Sequence, residues 1–403
     1  MFSLDRFYNI LHSNFIRPLD GQSGYFYPFG TYDQLLYFSR SKFDSIKQKS
    51  GINTRAENSW LRCYFFDQEP LYNLESILDR SVVPLGDHPT LPKILQIMAN
   101  SEISELKTQY CRNYKLYDWY YFFHGFAALD WYRDFEYAHP TVFDNYQKVF
   151  ICYNHLTSKL RSYRLHLVSN LINQDLVKHG HVSLFLKDAH GSWNETIRDS
   201  NNPLDYRAVP GIIKALAGRR EPLTIDTSNP VGSMSANVDL DQLTSALWHV
   251  VTETIYYDPK LHLTEKIFKP IVAKRPFILV AAPGNLAYLK SYGFKTFDRW
   301  IDESYDQETD HYIRIEKITA EINRLCKLSS NELKQMHQEM QDVLEYNFNH
   351  FYKDFKSIIV NEMCDNFSSV LSRINHGRIP NNHSFYHQRY ELDMEPIKQR
   401  LSR

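Results

Sequence analysis

The stretch VTETIYYDPKLHLTEKIFKPIVAKRPFILVAAPG, from Val251 to Gly284, decides the fold that we expect for this chain. Apolar residues predict one strand over Leu247–Ile255 and a buried strand over Pro276–Ala281, with a short charged helix between them. Strand, helix and strand at this spacing make up about one βαβ unit, which is typical of a parallel sheet covered by helices. The stretch therefore predicts an α/β fold.

The helix inside this stretch carries the first candidate ligand-binding residues. Thr264 is a good N-cap, and Glu265 and Lys266 occupy the first turn. Free backbone N–H groups and a lysine at a helix start attract phosphate, while Glu265 can accept two hydrogen bonds, as from the hydroxyls of a ribose. Thr-Glu-Lys is a common sequence, however, so for these three residues taken alone an ordinary capped helix start is the better explanation. Glu253 is a further acidic candidate upstream.

A second βαβ crossover precedes this stretch. We expect a strand at Lys148–Cys152, a helix over Leu160–Val177 and a strand at Val182–Leu186. Arg161 and Arg164 are three residues apart near the helix start, so they share a face and can clamp an anion together. The alternative is a pair of solvated surface arginines. Asn154, in the loop after the first of these strands, joins the candidates for ligand binding.

The first third of the chain predicts another sheet with polar residues at strand ends. The strand Leu61–Phe66 leads into Asp67-Gln-Glu69 and a proline, and a strand over Trp119–Phe123 leads into His124. If both strands end at the carboxyl edge of one parallel sheet, Asp67, Glu69 and His124 face a common cleft. Helical spacing of apolar residues predicts helices over Thr31–Lys47 and Leu91–Asn100.

These segments together predict two Rossmann-like α/β domains that face a cleft. We expect a first α/β domain over residues 1–145, a second α/β domain over 146–310, and terminal helices packed on the body over 311–403. Polar and turn-forming residues predict a loop-like insertion over 201–239. Long helical periodicity marks Ile313–Leu328 and a segment from Ser330 to about Ser372.

Composition excludes several classes of protein. The 403 residues are 43% hydrophobic and 23% charged, with a formal net charge of -1, so no global basic field attracts nucleic acid or an anionic membrane. We find neither a secretory signal nor an apolar run long enough for a spanning helix, and the five scattered cysteines form no C-x-x-C pair. We therefore expect a soluble cytoplasmic protein without a transmembrane segment.

Taken together, Leu263-Thr-Glu-Lys-Ile-Phe-Lys, the upstream Glu253 and the apolar strand after Pro276 resemble the donor motif of fucosyltransferases and related two-domain (GT-B) glycosyltransferases. The resemblance is best over Leu247–Asp306, and the arrangement is also similar to glycosyltransferases encoded by phages and bacteria. It implies that residues 1–145 form the acceptor-side domain and residues 146–310 the nucleotide-sugar-binding domain. It also implies that Lys266 holds the donor diphosphate, Glu265 the ribose and Glu253 a sugar or ribose hydroxyl. Arg161 and Arg164 would then stand where these enzymes keep a phosphate-binding basic residue.

The function that we predict from these residues is transfer of a hexose or pentose from a nucleotide-diphosphate sugar to an acceptor hydroxyl. We expect an inverting reaction in which Glu69 is the general base, with Asp67 and His124 as the next candidates for this role. Cationic side chains are expected at the diphosphate, with no metal or other cofactor, and Asp239-Leu-Asp241 is interpreted as the start of a helix or strand. The acceptor is a glycan or another hydroxyl compound. The alternatives are an enzyme that glycosylates hydroxymethylated DNA bases, which the net charge does not favour, and a non-catalytic nucleotide-sugar-binding protein.

Overall fold

The computed structural model describes residues 4–19, 21–25, 61–66, 95–113, 116–137, 146–225 and 239–376. The chain divides into two units: residues 1–130 with 356–403 form the first, and residues 131–355 form the second. Both units are of the α/β type, and each contains a four-stranded sheet whose strands are all parallel. The sheets are compatible with a Rossmann-like fold.

The sheet of the first unit contains β1 (Gln22–Tyr25), β2 (Leu61–Phe66), β3 (Leu95–Asn100) and β4 (Tyr117–Tyr120), paired in this order. Five of the six residues of β2 are buried, as is typical of a parallel strand covered on both faces. The predicted strand Leu61–Phe66 is thus confirmed with its bounds. The predicted helix at Thr31–Lys47 lies outside the described residues.

Helices and aromatic side chains complete the first unit. Trp119 is fully buried against the rings of Phe15, Phe65 and Phe367, and its indole N–H donates to the carbonyl oxygen of Met363 at 3.1 Å. These contacts fix the C-terminal helix on β4. In the ranges that the structure describes, the α-helices of this unit are α1 (Leu4–Leu11), α2 (Glu105–Asn113), α3 (Phe123–Trp131, which crosses into the second unit) and the C-terminal helix (Lys356–His376).

Two predictions for this unit were wrong. The residues expected to end a helix over Leu91–Asn100 form β3, which lies between β2 and β4. The expected strand Trp119–Phe123 ends at Tyr120, and His124 lies in the first turn of α3 instead of following a strand directly. A short run of apolar residues fits either a buried strand or a helix, and only the sheet neighbours decide between them.

The main sheet of the second unit contains β5 (Lys148–Cys152), β6 (Gly180–Val182), β9 (Ala246–Thr252) and β10 (Phe277–Val280) in the order β10-β9-β5-β6. All seven residues of β9 and all four of β10 are buried, so continuous apolar runs suit both strands. A small antiparallel hairpin, β7 (Lys187–Asp188) and β8 (Gly191–Ser192), follows β6.

Nine α-helices cover the described parts of this unit, and short 3₁₀ turns at Lys159–Arg161 and Glu265–Ile267 precede two of them. Ile267, Phe268, Ile271 and Val272, which lie at helical spacing after Lys266, are all buried. The helices are α4 (Tyr163–Asn173), α5 (Trp193–Arg198), α6 (Val209–Leu216), α7 (Leu240–Thr244), α8 (Phe268–Val272), α9 (Asn285–Ser291), α10 (His311–Lys327), α11 (Ser330–Glu339) and α12 (Gln341–His350).

Several boundaries in the second unit differ from those that the sequence predicted. The strand expected over Leu247–Ile255 ends at Thr252, and the one expected at Val182–Leu186 ends at Val182. The expected loop over 201–239 contains α6, whose first turn includes a proline. Gly284, with φ of 83°, is the N-cap of α9, and the amide of the following Asn285 donates to the carbonyl oxygens of Lys260 and Ala282.

The terminal helices are divided between the units. Helices α10 to α12 belong to the second unit, while the C-terminal helix belongs to the first. The segment expected to run as one helical pattern from Ser330 to about Ser372 consists of α11, α12, a π-helical turn at Phe351–Phe355 and most of the C-terminal helix. Within the described ranges, every helix is too short or too polar to cross a membrane.

Candidate functional site

The strand order of the second sheet contains a point where the chain changes direction. From β5 the chain passes to β6 on one side, and later returns to place β9 on the other side of β5. The loops that follow β5 and β9 therefore diverge at the carboxyl edge, and ligands of open parallel sheets bind in the crevice that such loops form. Glu253 is the first residue after β9.

Glu253 is a fully buried carboxylate, with 0% of its surface exposed. Its Oε2 accepts from the hydroxyl of Thr264 at 2.6 Å and from the backbone N–H of Thr254 at 3.2 Å, and its Oε1 accepts from the N–H of Thr264 at 3.2 Å. Three donors offset the cost of removing this charge from water. Thr264 is also the N-cap of the 3₁₀ turn Glu265–Ile267, as the sequence predicted.

The side chain of Lys266 lies beside this carboxylate and is partly exposed to solvent. Its Nζ donates to the hydroxyls of Thr264 at 2.8 Å and Thr254 at 3.2 Å, and lies 3.7 Å from Glu253 Oε2 and 3.6 Å from Glu265 Oε1. About a third of the side chain is exposed, at 31%. An ammonium group has three N–H donors, so one remains beyond the two bonds to hydroxyls. The hydroxyl of Thr264 links the lysine to Glu253, because it accepts from one and donates to the other.

Tyr132 is a neighbour that the sequence did not predict. Its hydroxyl donates to the backbone oxygen of Glu265 at 3.4 Å, and the ring is fully buried. Burial raises the pKa of Tyr132 well above its usual value, and the charges of Glu265 and Glu253 raise it further. No local pattern indicates this contact, since Tyr132 follows a helix more than a hundred residues earlier in the chain.

Arg164 and the neighbouring Tyr163 form hydrogen bonds with the backbone at the end of β9. The guanidinium of Arg164 donates to the carbonyl oxygens of Leu156 at 2.9 Å, Thr252 at 2.9 Å and Glu253 at 3.2 Å, and the Tyr163 hydroxyl donates to Glu253 O. Arg164 is 4% exposed. These contacts differ from the predicted clamp by Arg161 and Arg164, because Arg164 fastens the loop after β5 to the end of β9.

The remaining predicted residues lie on other segments. Asn154 is buried beside β6, where its Nδ2 donates to Ser183 O at 3.1 Å, and its Oδ1 has no hydrogen-bond partner among the described residues. Arg161 lies half-exposed in the 3₁₀ turn after β5. His124 is buried in the first unit. Asp67 and Glu69 lie outside the described residues.

The structure thus brings together four of the predicted residues within hydrogen-bonding or ion-pair distance: Glu253, Thr264, Glu265 and Lys266. Arg164 contacts this group through a backbone oxygen. Asp239 is the N-cap of α7, where its carboxylate accepts from the N–H of Gln242 at 3.0 Å, which confirms the interpretation of this residue as a helix start. In the part of the chain that the structure describes, no group of three His, Cys, Asp or Glu side chains is arranged to hold a metal ion.

Comparison of this chain with models of protein families, with curated proteins and with solved structures finds no match. A fold of this type supports many unrelated activities. The function is therefore argued from the geometry of the cluster around Glu253 and Lys266.

Proposed function

We propose that this protein is an inverting glycosyltransferase of the GT-B type, which transfers a sugar from a nucleotide-diphosphate sugar to an acceptor hydroxyl. The observation that carries this proposal is the linked group of Glu253, Thr264 and Lys266, with Glu265 beside it, at the carboxyl edge where β5 and β9 diverge. Glu265 there can accept hydrogen bonds from ribose or sugar hydroxyls while the fully buried Glu253 holds Thr264 in place, and the partly exposed ammonium of Lys266 can donate to a phosphate oxygen.

In the proposed reaction, a carboxylate base takes the proton of the acceptor hydroxyl. The acceptor oxygen then forms a bond to the anomeric carbon as the bond from that carbon to the diphosphate oxygen breaks. The electron pair leaves with the nucleoside diphosphate, and cationic side chains stabilise the charge that develops there. Glu69 is the proposed base, because three polar residues follow β2 directly; Asp67 and His124 are the next candidates.

A panel of UDP-, GDP-, ADP-, CMP- and dTDP-sugars tests the proposal by thermal shift, followed by calorimetry with whichever donor stabilises the protein. Loss of one charge-assisted contact costs about 1.5–3 kcal/mol, so Lys266→Ala should weaken donor binding by roughly 10- to 100-fold. Lys317→Ala is the matched control, because Lys317 on α10 is a half-exposed lysine whose Nζ lies 3.0 Å from a carboxylate oxygen of Glu308.

Four results would contradict or narrow the proposal. Failure of every donor to bind would reject it, and an unchanged affinity of Lys266→Ala would remove Lys266 from the site. Donor binding without transfer to any glycan acceptor, and without hydrolysis of the donor, would favour a non-catalytic binding protein. Salt-sensitive retention of duplex DNA in a gel shift would favour the alternative in which hydroxymethylated bases are the acceptors.

A further inference from the structure

The first turn of α10 packs against the two loops that follow β9 and β10. Arg314 in this turn is 1% exposed, yet its guanidinium donates to several backbone oxygens. Its Nε donates to Glu308 O at 2.9 Å, and its Nη1 donates to Tyr256 O at 3.0 Å and to Ala281 O at 2.8 Å. Tyr256 belongs to the loop after β9, and Ala281 directly follows β10. Arg314 therefore ties these two loops together.

Tyr256 connects Arg314 to the candidate site. The guanidinium carbon of Arg314 lies 4.3 Å from the centroid of the Tyr256 ring. This ring stacks on that of Tyr163, with centroids 4.2 Å apart, and the hydroxyl of Tyr163 donates to Glu253 O. Glu253 is only three residues before Tyr256. Arg314 thus fixes the backbone that sets the position of the buried carboxylate.

A second attachment, made by an uncharged side chain, lies further along the same loop. Asn285 is fully buried at the start of α9; its Nδ2 donates to Lys260 O at 3.0 Å, and its Oδ1 accepts from the backbone N–H of His262 at 3.0 Å. Residues 253–264, which run from the buried carboxylate to the cap of the Lys266 turn, are thus held at two points. An amide does not titrate, so the attachment by Asn285 is independent of pH.

The remaining acceptor of Arg314 is an imidazole nitrogen. Nη2 of Arg314 lies 2.9 Å from Nδ1 of the half-buried His311. A guanidinium can only donate, so Nδ1 must accept, and the imidazole is neutral with its proton on Nε2. A proton on Nδ1 would place two N–H donors and two positive charges face to face. This contact therefore requires neutral His311.

The groups that act on His311 come from α10, from the turn before α6 and from the loop after β9. They are Arg314, Asp310, Asp205 and Asp258, together with the rings of Tyr256 and Tyr257. Arg207 pairs with both Asp205 and Asp310, which offsets part of their charge. Burial lowers the pKa of His311 and the charge of Arg314 lowers it further, while the carboxylates oppose this change.

We propose that Arg314 is a positioning residue of the candidate site, and that His311, which accepts from Arg314 only while neutral, makes this role depend on pH. At neutral pH the guanidinium holds residues 253–264 against the end of β10, and the Lys266 turn keeps its place. Protonation of His311 opposes Arg314 and loosens the segment. The consequence for donor binding rests on the glycosyltransferase proposed above, whereas the attachment itself does not.

The sign of the pH dependence follows from the two states of the imidazole. In the loosened segment His311 has its ordinary pKa of 6.5, and in the attached segment its pKa is lower. The attachment is therefore at full strength above about pH 6.5 and weakens as the pH falls, because only the loosened state readily takes up the proton.

Hydrogen exchange of the full chain, followed by mass spectrometry, measures the attachment without any ligand. At pH 5.5 the amides of residues 253–264 should exchange up to about tenfold faster in the unaltered protein than in His311→Asn, since this pH is about one unit below the ordinary pKa. At pH 7.5 the two proteins should exchange alike. The oxygen of asparagine can accept from Arg314 in place of Nδ1 and does not titrate. Comparison at one pH cancels the intrinsic rate and the effects of other histidines.

His181→Asn is the matched control. His181 is half-exposed on β6, at the opposite edge of the sheet from β10, and burial lowers its pKa as well. This variant should keep the faster exchange of residues 253–264 at pH 5.5.

Arg314→Lys tests the positioning role directly. Lysine keeps the charge but lacks the planar fork that reaches several acceptors, so residues 253–264 should exchange at least about tenfold faster at pH 7.5. Exchange of residues 148–152, on β5, should not change. If exchange rises throughout this variant, its fold is lost, and the comparison of the unaltered protein with His311→Asn decides the proposal.

The outcomes separate this proposal from the proposed function. Equal exchange of residues 253–264 in the unaltered protein and His311→Asn at pH 5.5, or unchanged exchange in Arg314→Lys, would overturn it even if a nucleotide sugar binds. If exchange responds as expected while no nucleotide sugar binds, the attachment stands and the glycosyltransferase proposal fails. With a nucleotide sugar that binds, affinity by calorimetry should fall several-fold more between pH 7.5 and 5.5 in the unaltered protein than in His311→Asn. An equal fall in both would overturn the effect on binding.

Discussion

The two parallel sheets have the same local construction but a different strand order. In the first sheet the described strands follow the chain, β1-β2-β3-β4, so each crossover continues in the same direction. In the second sheet the order β10-β9-β5-β6 reverses at β5. Among the strands that the structure describes, only the second sheet has the divergent loops that form a ligand crevice. Strand order, more than strand sequence, sets where a ligand can bind.

The two sheets also differ in how the lysine near a strand end uses its hydrogen-bond donors. After β3, the ammonium of Lys107 is almost fully buried and bonds Asn100 Oδ1 at 3.1 Å, Asp118 Oδ2 at 3.0 Å and the backbone oxygen of Glu102. Its three donors are thus used within the protein. Lys266 in the second sheet uses two donors on threonine hydroxyls and keeps part of its surface exposed. The protein uses all three donors of Lys107, whereas Lys266 keeps one donor beyond its two bonds to hydroxyls.

The largest effect is expected from substitution of the proposed catalytic base, Glu69, which belongs to the first unit. Glu69→Gln should reduce turnover by about 10²- to 10⁴-fold, because the amide cannot take the acceptor proton, while donor affinity by calorimetry stays unchanged. Steady-state kinetics of Glu69→Gln, Asp67→Asn and His124→Gln compare the three candidates. Near-normal turnover of Glu69→Gln, with a large loss in one of the others, would transfer the role to that residue.

A smaller effect is expected from the hydroxyl that links Glu253 and Lys266 in the second unit. Thr264→Val keeps the side-chain shape but removes the donor to a buried carboxylate and the acceptor for the lysine, so the free energy of unfolding should fall by about 2 kcal/mol. Thr264→Ser keeps the hydroxyl and is the matched control. Urea unfolding measures both variants, and equal stability of valine and serine at this position would show that the hydroxyl link contributes nothing.

A further expected effect concerns the pH dependence of the second sheet. Burial in β9 lowers the pKa of His249 to about 3, despite a hydrogen bond to Leu243 O that acts to raise it. Below about pH 6.5 the unfolded chain binds a proton that the folded protein does not, so His249 should cost about 1.4 kcal/mol of stability per pH unit down to about pH 3.

Urea unfolding at pH 7, 6 and 5 should therefore show a shallower loss of stability for His249→Gln than for the unaltered protein. Burial also lowers the pKa of His337 to about 3, so the double variant with His337→Gln should reduce the dependence by a similar further amount. Identical pH dependence of the unaltered protein and both variants would mean that neither histidine is kept neutral by the fold.

Some elements were predictable because their signals are local. The strand Leu61–Phe66 is a compact apolar run bounded by polar residues, and Thr264 caps a helical turn through atoms two residues away. Leu95–Asn100 contains four apolar residues among its six, yet we predicted a helix there. Their spacing fits one face of a helix, but each of the last five side chains is buried within the sheet. The segment is too short for its hydrophobic period to distinguish a strand from a helix. Pairing with β2 and β4 makes it a strand.

For the candidate site, the sequence by itself determined which chemical groups are available: the acidic residue at the end of β9 and the capped Thr-Glu-Lys turn before α8. The tertiary structure decided which groups meet. The contact of Tyr132 with Glu265 and the use of Arg164 and Arg314 on backbone carbonyls each join residues that are distant in the chain. Capping and periodicity act over a few residues, whereas these contacts depend on the order in which the strands pair.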